Sequence, residues 1–162
     1  LIHIERLTES HIDAVKLITL ADEQVKFAGT SEEFLADGDA TTHLFVIISD
    51  DTVVGFFKID TAYASNYHFC PETGLGLRAF VIDRKQQGKG LGTASVKALI
   101  PSIKQHYPQR DCIYLTVNCK NPAAKACYLK GGFTDTGEKY LGGAAGPQNI
   151  MNAELNALTM AS

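Results

Sequence analysis

The sequence has no run of Lys or Arg longer than a pair, and its formal net charge is -3 over 162 residues. A protein that grips phosphodiester backbones needs a clustered basic face, so nucleic acid is not expected as a partner. Long apolar runs are missing too: stretches such as "LFVII" (44–48) fall far short of the roughly 20 residues that span a bilayer. The N-terminal "LIHIERLTES" carries no basic stretch ahead of a long apolar one, as a secretory leader would. No membrane association is expected, and the chain reads as cytoplasmic. Cysteine is scarce. Cys70, Cys112, Cys119 and Cys127 fit neither paired CxxC knuckles nor a small disulfide framework, so they read as reduced thiols with no metal between them. No repeat, linker or low-complexity segment divides the chain. With 45% hydrophobic and 20% charged residues, one domain over 1–162 is expected.

What is present is an alternation of strand and helix patterns. "LIHIERL" (1–7) alternates like a strand, and Thr8 then caps a helix over "HIDAVKLITLADEQ", with Ile12, Val15 and Leu17 or Ile18 on one face. "SEEFLADG" (31–38) predicts a short second helix, capped by Ser31 and stopped at Gly38. "THLFVIIS" and "TVVGFFKIDT" flank Asp50-Asp51 as the arms of an antiparallel hairpin. An aromatic-rich loop (62–74) leads to a strand at 75–83, a glycine loop, and a helix from Leu91 towards Tyr107 that Pro101 must kink or restart. "CIYLTVN" (112–118) is a strand. Asn121 and Pro122 open a further helix, which Gly131 or Gly132 stops. Strands "FTDTGEKYL" and "NIMNAELNA" flank the loop 142–148 and complete a mixed α+β order, βααβββαβαββ.

The most informative stretch is "QQGKGLGTAS" (86–95), with Gly88, Gly90 and Gly92 at alternate positions between a strand and a helix. Such a turn presents backbone N–H groups at a helix N-terminus, where an anion such as a phosphate is favoured. The spacing is not that of a GxxxxGK[ST] phosphate loop. "GLGLRA" (74–79) satisfies GxGxxA, but it enters a strand instead of following one, and Asp111 lies at the start of the next strand where a ribose-binding carboxylate belongs at its end. A turn that only needs positive φ explains one glycine better than three.

"FVID" followed by "QQGKGLG" resembles the central motif of the GNAT superfamily of acyl-CoA-dependent N-acyltransferases, mapping onto Gln87, Gly90 and Gly92. Asn121, Tyr128 and "GGF" (131–133) match the family's second motif, one strand and one helix further on. The resemblance implies a GNAT-like mixed, mostly antiparallel sheet flanked by helices, with acetyl-CoA as co-substrate. It implies that the amides of Gln87, Gly88, Lys89, Gly90, Leu91 and Gly92 wrap the CoA pyrophosphate, with a hydroxyl from Thr93. It further implies a bulged strand at Phe80, Val81 and Ile82 whose backbone pairs with the pantetheine arm in a gap beside "CIYLTVN". Seven helical residues turn about 700°, so Asn121 and Tyr128 share a face. The resemblance implies that Tyr128 is the acid that protonates the departing thiolate, or orients its sulfur, against the alternative of a core aromatic with a tied hydroxyl; Asn121 is a cofactor contact or only a cap.

The acceptor half is less defined. Glu72 is the nearest carboxylate that could serve as base, the alternatives being a water relay or an ordinary loop residue; a covalent route through Cys127 or Cys119 is disfavoured. The resemblance extends to the bacterial polyamine acetyltransferase branch, with a small-molecule amine as partner and a homodimer compatible with it. The carboxylates Asp22, Glu23, Glu32, Glu33, Asp37 and Asp39 would draw a cationic acceptor, or form a solvated face. An aminoglycoside, an amino acid, a peptide α-amine, or a CoA sensor without turnover are the alternatives.

Overall fold

The structure, a computed structural model, describes residues 1–156, apart from the side chains of Glu23 and Lys26. Seven strands form one sheet in the order β1-β2-β3-β4-β5-β7-β6, antiparallel except where β4 meets β5. They are β1 (Ile2–Arg6), β2 (Thr42–Ser49), β3 (Thr52–Asp60), β4 (Gly74–Ile82), β5 (Cys112–Asn118), β6 (Thr134–Tyr140) and β7 (Gln148–Glu154). The helices are α1 (Glu9–Lys16), α2 (Asp22–Ala28), α3 (Ser31–Ala36), α4 (Leu91–His106) and α5 (Pro122–Gly131). The mixed α+β architecture is the expected one. Ala157, the last residue of the expected final strand, lies outside the described residues.

Two apolar cores lie on the sheet. In one, Val96, Leu99 and Ile103 of α4 pack with Phe45, Phe57, Leu75 and Leu115; in the other, Val15, Ile18 and Phe34 pack with Val46, Phe56 and Val81. The β2–β3 hairpin closes through Asp50 (φ 47°) and Asp51 (φ 67°), the left-handed pair that a two-residue turn with the right twist requires and that aspartate tolerates.

The single helix expected over 11–24 is two helices. Residues 17–21 leave helical geometry because their backbone is claimed by the segment after β4: Thr19 N–H donates to Asp83 Oδ1 (3.2 Å) and Thr19 C=O accepts from Arg84 N–H (2.7 Å). Asp83, 5% exposed, also accepts from Lys85 N–H and so fixes the entry to the glycine loop. At Pro101 the outcome is milder than a restart. The helix runs on to His106, and the carbonyl that loses its partner belongs to the exposed Lys97.

Gly131 and Gly132 have separate reasons to be glycine. Gly132 takes φ 116° as the C-cap of α5, which lets Phe133 N–H return to Tyr128 C=O (2.9 Å). At Gly131 a Cβ would lie 2.2 Å from Val96 Cγ1 and 2.5 Å from Val96 Cβ, because α4 and α5 touch backbone to side chain there. Gly131→Ala is expected to cost about 1–3 kcal/mol through overpacking. Chemical denaturation should show that loss; an unchanged midpoint would mean that the helices separate freely.

Candidate active site

The strand β4 is the centre of the site, and its backbone departs from regular geometry at Ala79, where φ is 54°. The register against β3 shifts there, from Lys58↔Arg78 to Phe56↔Val81, which is the bulge that the family resemblance implies. On its other edge β4 pairs with β5 through only Gly74, Leu75 and Gly76. Beyond Gly76 the strands part, and a cavity of about 840 Å³ opens between Leu77–Phe80 and Ile82 on one wall and Thr116–Asn118 on the other. Asp83 N–H bonds to Val54 C=O (2.7 Å), so by strand alternation Ile82 turns its N–H and C=O into the gap.

The glycine loop closes one end. Gly88 (φ 86°) and Gly90 (φ 74°) are left-handed with open space at the Cβ position, so positive φ accounts for two of the three glycines, more than the sequence suggested. Gly92, the second residue of α4, is different: a Cβ there would meet Cys127 Sγ at 3.3 Å, on the cavity wall. The N–H groups of residues 88–93 have no acceptor among the described residues, so six consecutive donors sit at the head of a 16-residue helix. The Gln87 amide is not one of them, since it bonds to Arg84 C=O (3.2 Å) in a 3₁₀ turn. The Gln87 side chain instead donates to Ile82 C=O (3.2 Å) and to Gln24 Oε1 (3.1 Å), and Gln24 Nε2 reaches the same Ile82 carbonyl (3.3 Å). That carbonyl is therefore already served, which leaves Phe80 as the less encumbered backbone partner in the gap.

Phe80, Ile82, Gln87, Gly88, Gly90, Leu91, Gly92, Thr93, Asn121 and Tyr128 all line the cavity. Two expected contacts do not. Val81 has its side chain in the opposite core, fully buried, and Lys89 points out to Gln86 Oε1 (3.1 Å). Asn121 caps α5, its Oδ1 accepting from Ala124 N–H (3.3 Å).

Tyr128 stands edge-on to Phe80 (5.9 Å between centroids) and to Phe133 (5.7 Å). Its hydroxyl makes no hydrogen bond among the described residues, so it is not a tied core tyrosine. Burial, with a smaller contribution from Cys127, pushes the phenol above its ordinary value. Cys127 shares the wall, at the Gly92 end, whereas Cys119 is exposed and away from it.

Among the described residues no carboxylate lines the cavity. Glu72 is exposed on the turn before β4 and is not part of the wall, so it is not placed to act as base. Three of the acidic residues expected around the acceptor already have partners. Asp37 pairs with Lys58 Nζ (2.6 Å), and Glu33 forms a capping box with Thr30. Asp39 accepts from the N–H groups of Thr42 and Thr41, which hold its carboxyl below the usual range. Asp22 and Glu32 are exposed off the wall, and the Glu23 side chain lies outside the described residues. The end of the cavity away from the loop is instead lined by Lys58, Arg78 and the stacked Tyr63 and Tyr67 (4.2 Å between centroids). Sequence reasoning missed these four, along with Gln24 and Asn118.

A parallel strand pair that splays at a bulge, with a run of unbonded amides at the gap's end, is the arrangement that the family resemblance implies. The model of the acetyltransferase (GNAT) family matches residues 10–133, and the chain belongs to that family. It is 30% identical over 139 residues to the uncharacterized N-acetyltransferase YbbJ of Bacillus subtilis, covering 82% of this chain and 84% of that protein. Among solved structures it resembles the aminoglycoside acetyltransferase AAC(6')-Ib in complex with coenzyme A, at 19% identity and a TM-score of 0.77, over 99% and 98% of the two chains. It also resembles a spermidine N-acetyltransferase SpeG chimera from Vibrio cholerae and hSSAT, at 14% identity and a TM-score of 0.69, over 98% of each. The protein is thus an N-acetyltransferase with acetyl-CoA as co-substrate. Among the described residues no helix is long and apolar enough to cross a membrane.

Proposed function

We propose that the protein transfers an acetyl group from acetyl-CoA to a primary amine by direct attack in a ternary complex, with Tyr128 as general acid. The observation that carries this reading is the run of six free amides, 88–93, at one end of a cavity whose wall includes an unpartnered Tyr128 hydroxyl. The amides and the α4 dipole accept the pyrophosphate, and the edge of β4 from Phe80 to Ile82 takes the pantetheine as an added strand would. The amine nitrogen attacks the thioester carbonyl, and a backbone N–H of the bulged strand holds the oxyanion. Collapse breaks the C–S bond, the thiolate takes its proton from Tyr128, the nitrogen gives its own to solvent, and solvent returns a proton to the Tyr128 phenolate.

Deprotonating a primary amine at pH 7 costs about 4.6 kcal/mol. With no carboxylate among the described residues of the cavity wall, a water relay is the route by which the proton leaves. Proton transfer from a phenol to a thiolate is uphill by about 2 kcal/mol from reference values, and a buried site raises both groups together. We assign the protein to the cytoplasm, in keeping with its four free cysteines, and a homodimer is the assembly to be checked by light scattering.

Acetyl-CoA at 100 times its Kd should stabilise the fold by about 2.7 kcal/mol, raising Tm by about 5–10 °C. Absence of both a thermal shift and titration heat at millimolar acetyl-CoA would remove the reading.

A further inference from the structure

We infer that the acceptor is a small amine bearing a carboxylate, of the α-amino acid class, and that Arg78 recognises that carboxylate; the inference rests on the acetyl-transfer reading above. Lys58 and Arg78 are cross-strand neighbours on β3 and β4, both on the cavity wall, immediately before the bulge. They are not equivalent. Lys58 is committed: 10% exposed, its ammonium lies 2.6 Å from Asp37 Oδ2. Arg78 is 41% exposed and makes no hydrogen bond among the described residues; its one ion pair is a long 3.5 Å approach to Asp60 Oδ2. Asp60 is itself supported by Ala62 N–H at 2.9 Å.

Arg110 shows what a structural arginine looks like in this molecule, donating to Gly74 C=O and to Thr61 C=O at 3.1 Å each. Arg78 does neither, and presents a planar fork of donors to the cavity with the geometry that matches a carboxylate. Its position fits the reaction. Arg78 stands two residues before Phe80, across the bulge at Ala79, and both line the cavity, so the carboxylate would be held beside the strand edge along which the thioester would lie. The phosphates are held beyond Ile82, at the loop, so the guanidinium is not needed for the cofactor's pyrophosphate. A polyamine or aminoglycoside would meet the Arg78 guanidinium and, among the described residues, no lining carboxylate, whereas an amine with an adjacent carboxylate meets complementary charge.

The test is a turnover panel of the twenty α-amino acids, each beside its α-amide and its decarboxylated amine, with spermidine and kanamycin included. It is run on the wild type, Arg78→Ala and Arg78→Lys, with acetyl-CoA affinity measured in parallel. The best amino acid should exceed its amide and its decarboxylated amine at least 10-fold in kcat/KM. Arg78→Ala should raise its KM about 10- to 100-fold without changing acetyl-CoA affinity, and Arg78→Lys should recover part of the loss. Because Arg78→Ala also leaves Asp60 less supported, calorimetric binding of the same trio to the CoA-loaded wild type gives a second reading, with the same order expected. Preference for the amide, the decarboxylated amine, spermidine or kanamycin, or an unchanged preference in a folded Arg78→Ala, would overturn the inference while leaving acetyl transfer in place. Acetyl-CoA binding with no transfer to any amine would instead overturn the transfer reading and this inference with it.

Discussion

Tyr128→Phe is expected to lower kcat by about 10- to 1,000-fold while leaving acetyl-CoA affinity within a factor of two or three, the pattern of a group that acts only as the C–S bond breaks. The substitution removes one oxygen from a ring held edge-on by Phe80 and Phe133, so the packing that positions the ring survives. No hydrogen bond is lost within the protein, because the hydroxyl makes none. A fall in kcat cannot then be assigned to an unfolded cap or a displaced helix. The pH profile gives an independent check. Burial raises the folded-state pKa of Tyr128, so the protonated, acid-competent form persists through pH 10, and no alkaline limb from this residue should appear in kcat below that value. The same shift has a stability counterpart. Tyr63 is raised in the same direction, again by burial, so both groups favour the folded state fully below the unfolded phenol value near 10. That contribution is lost as pH climbs from there through the folded values. Wild-type turnover in Tyr128→Phe would return the ring to a packing role.

The cofactor half of the site was readable because its signals are local. Asn121, Pro122 and Gly132 cap one helix within twelve residues, and the glycines of 88–92 lie between one strand and the next helix, so spacing alone places them. The Asp50-Asp51 turn was legible for the same reason. What escaped depends on pairs far apart in the chain. Asp83 breaks the first helix from 64 residues away, and Lys58 neutralises Asp37 across 21. Read along the chain, the carboxylates of 22–39 looked like a field for cations. Folded, Asp37, Glu33 and Asp39 are consumed by an ion pair, a capping box and backbone donors, and the charged side chains that line the cavity among the described residues are Lys58 and Arg78. Arg78 gave no signal in one dimension, because a free and a committed arginine are the same letter.

Gly92→Val should raise the Kd for acetyl-CoA at least 100-fold in a protein that still folds. The three loop glycines are not interchangeable as tests. At Gly88 and Gly90 the backbone is left-handed, so any side chain carries roughly 1–2 kcal/mol of strain, and lost affinity there mixes a displaced turn with a blocked site. Gly92 sits inside the first turn of α4, and its backbone carries no such constraint. Replacing glycine there is, if anything, mildly favourable to the helix, by a few tenths of a kcal/mol. A Cβ there has one protein neighbour within 4 Å, Cys127 Sγ at 3.3 Å, and the position lines the cavity at the head of α4. A phosphate held by charge-assisted bonds worth about 1.5–3 kcal/mol each loses at least one of them when it is pushed off that surface, and 100-fold corresponds to about 2.7 kcal/mol. Gly92→Ala should be milder, about 10-fold, and thermal melting of both apo variants should stay within a few degrees of the wild type. A folded Gly92→Val with unchanged affinity by titration calorimetry would mean that the cofactor does not cross the head of α4, and the six free amides would need another ligand.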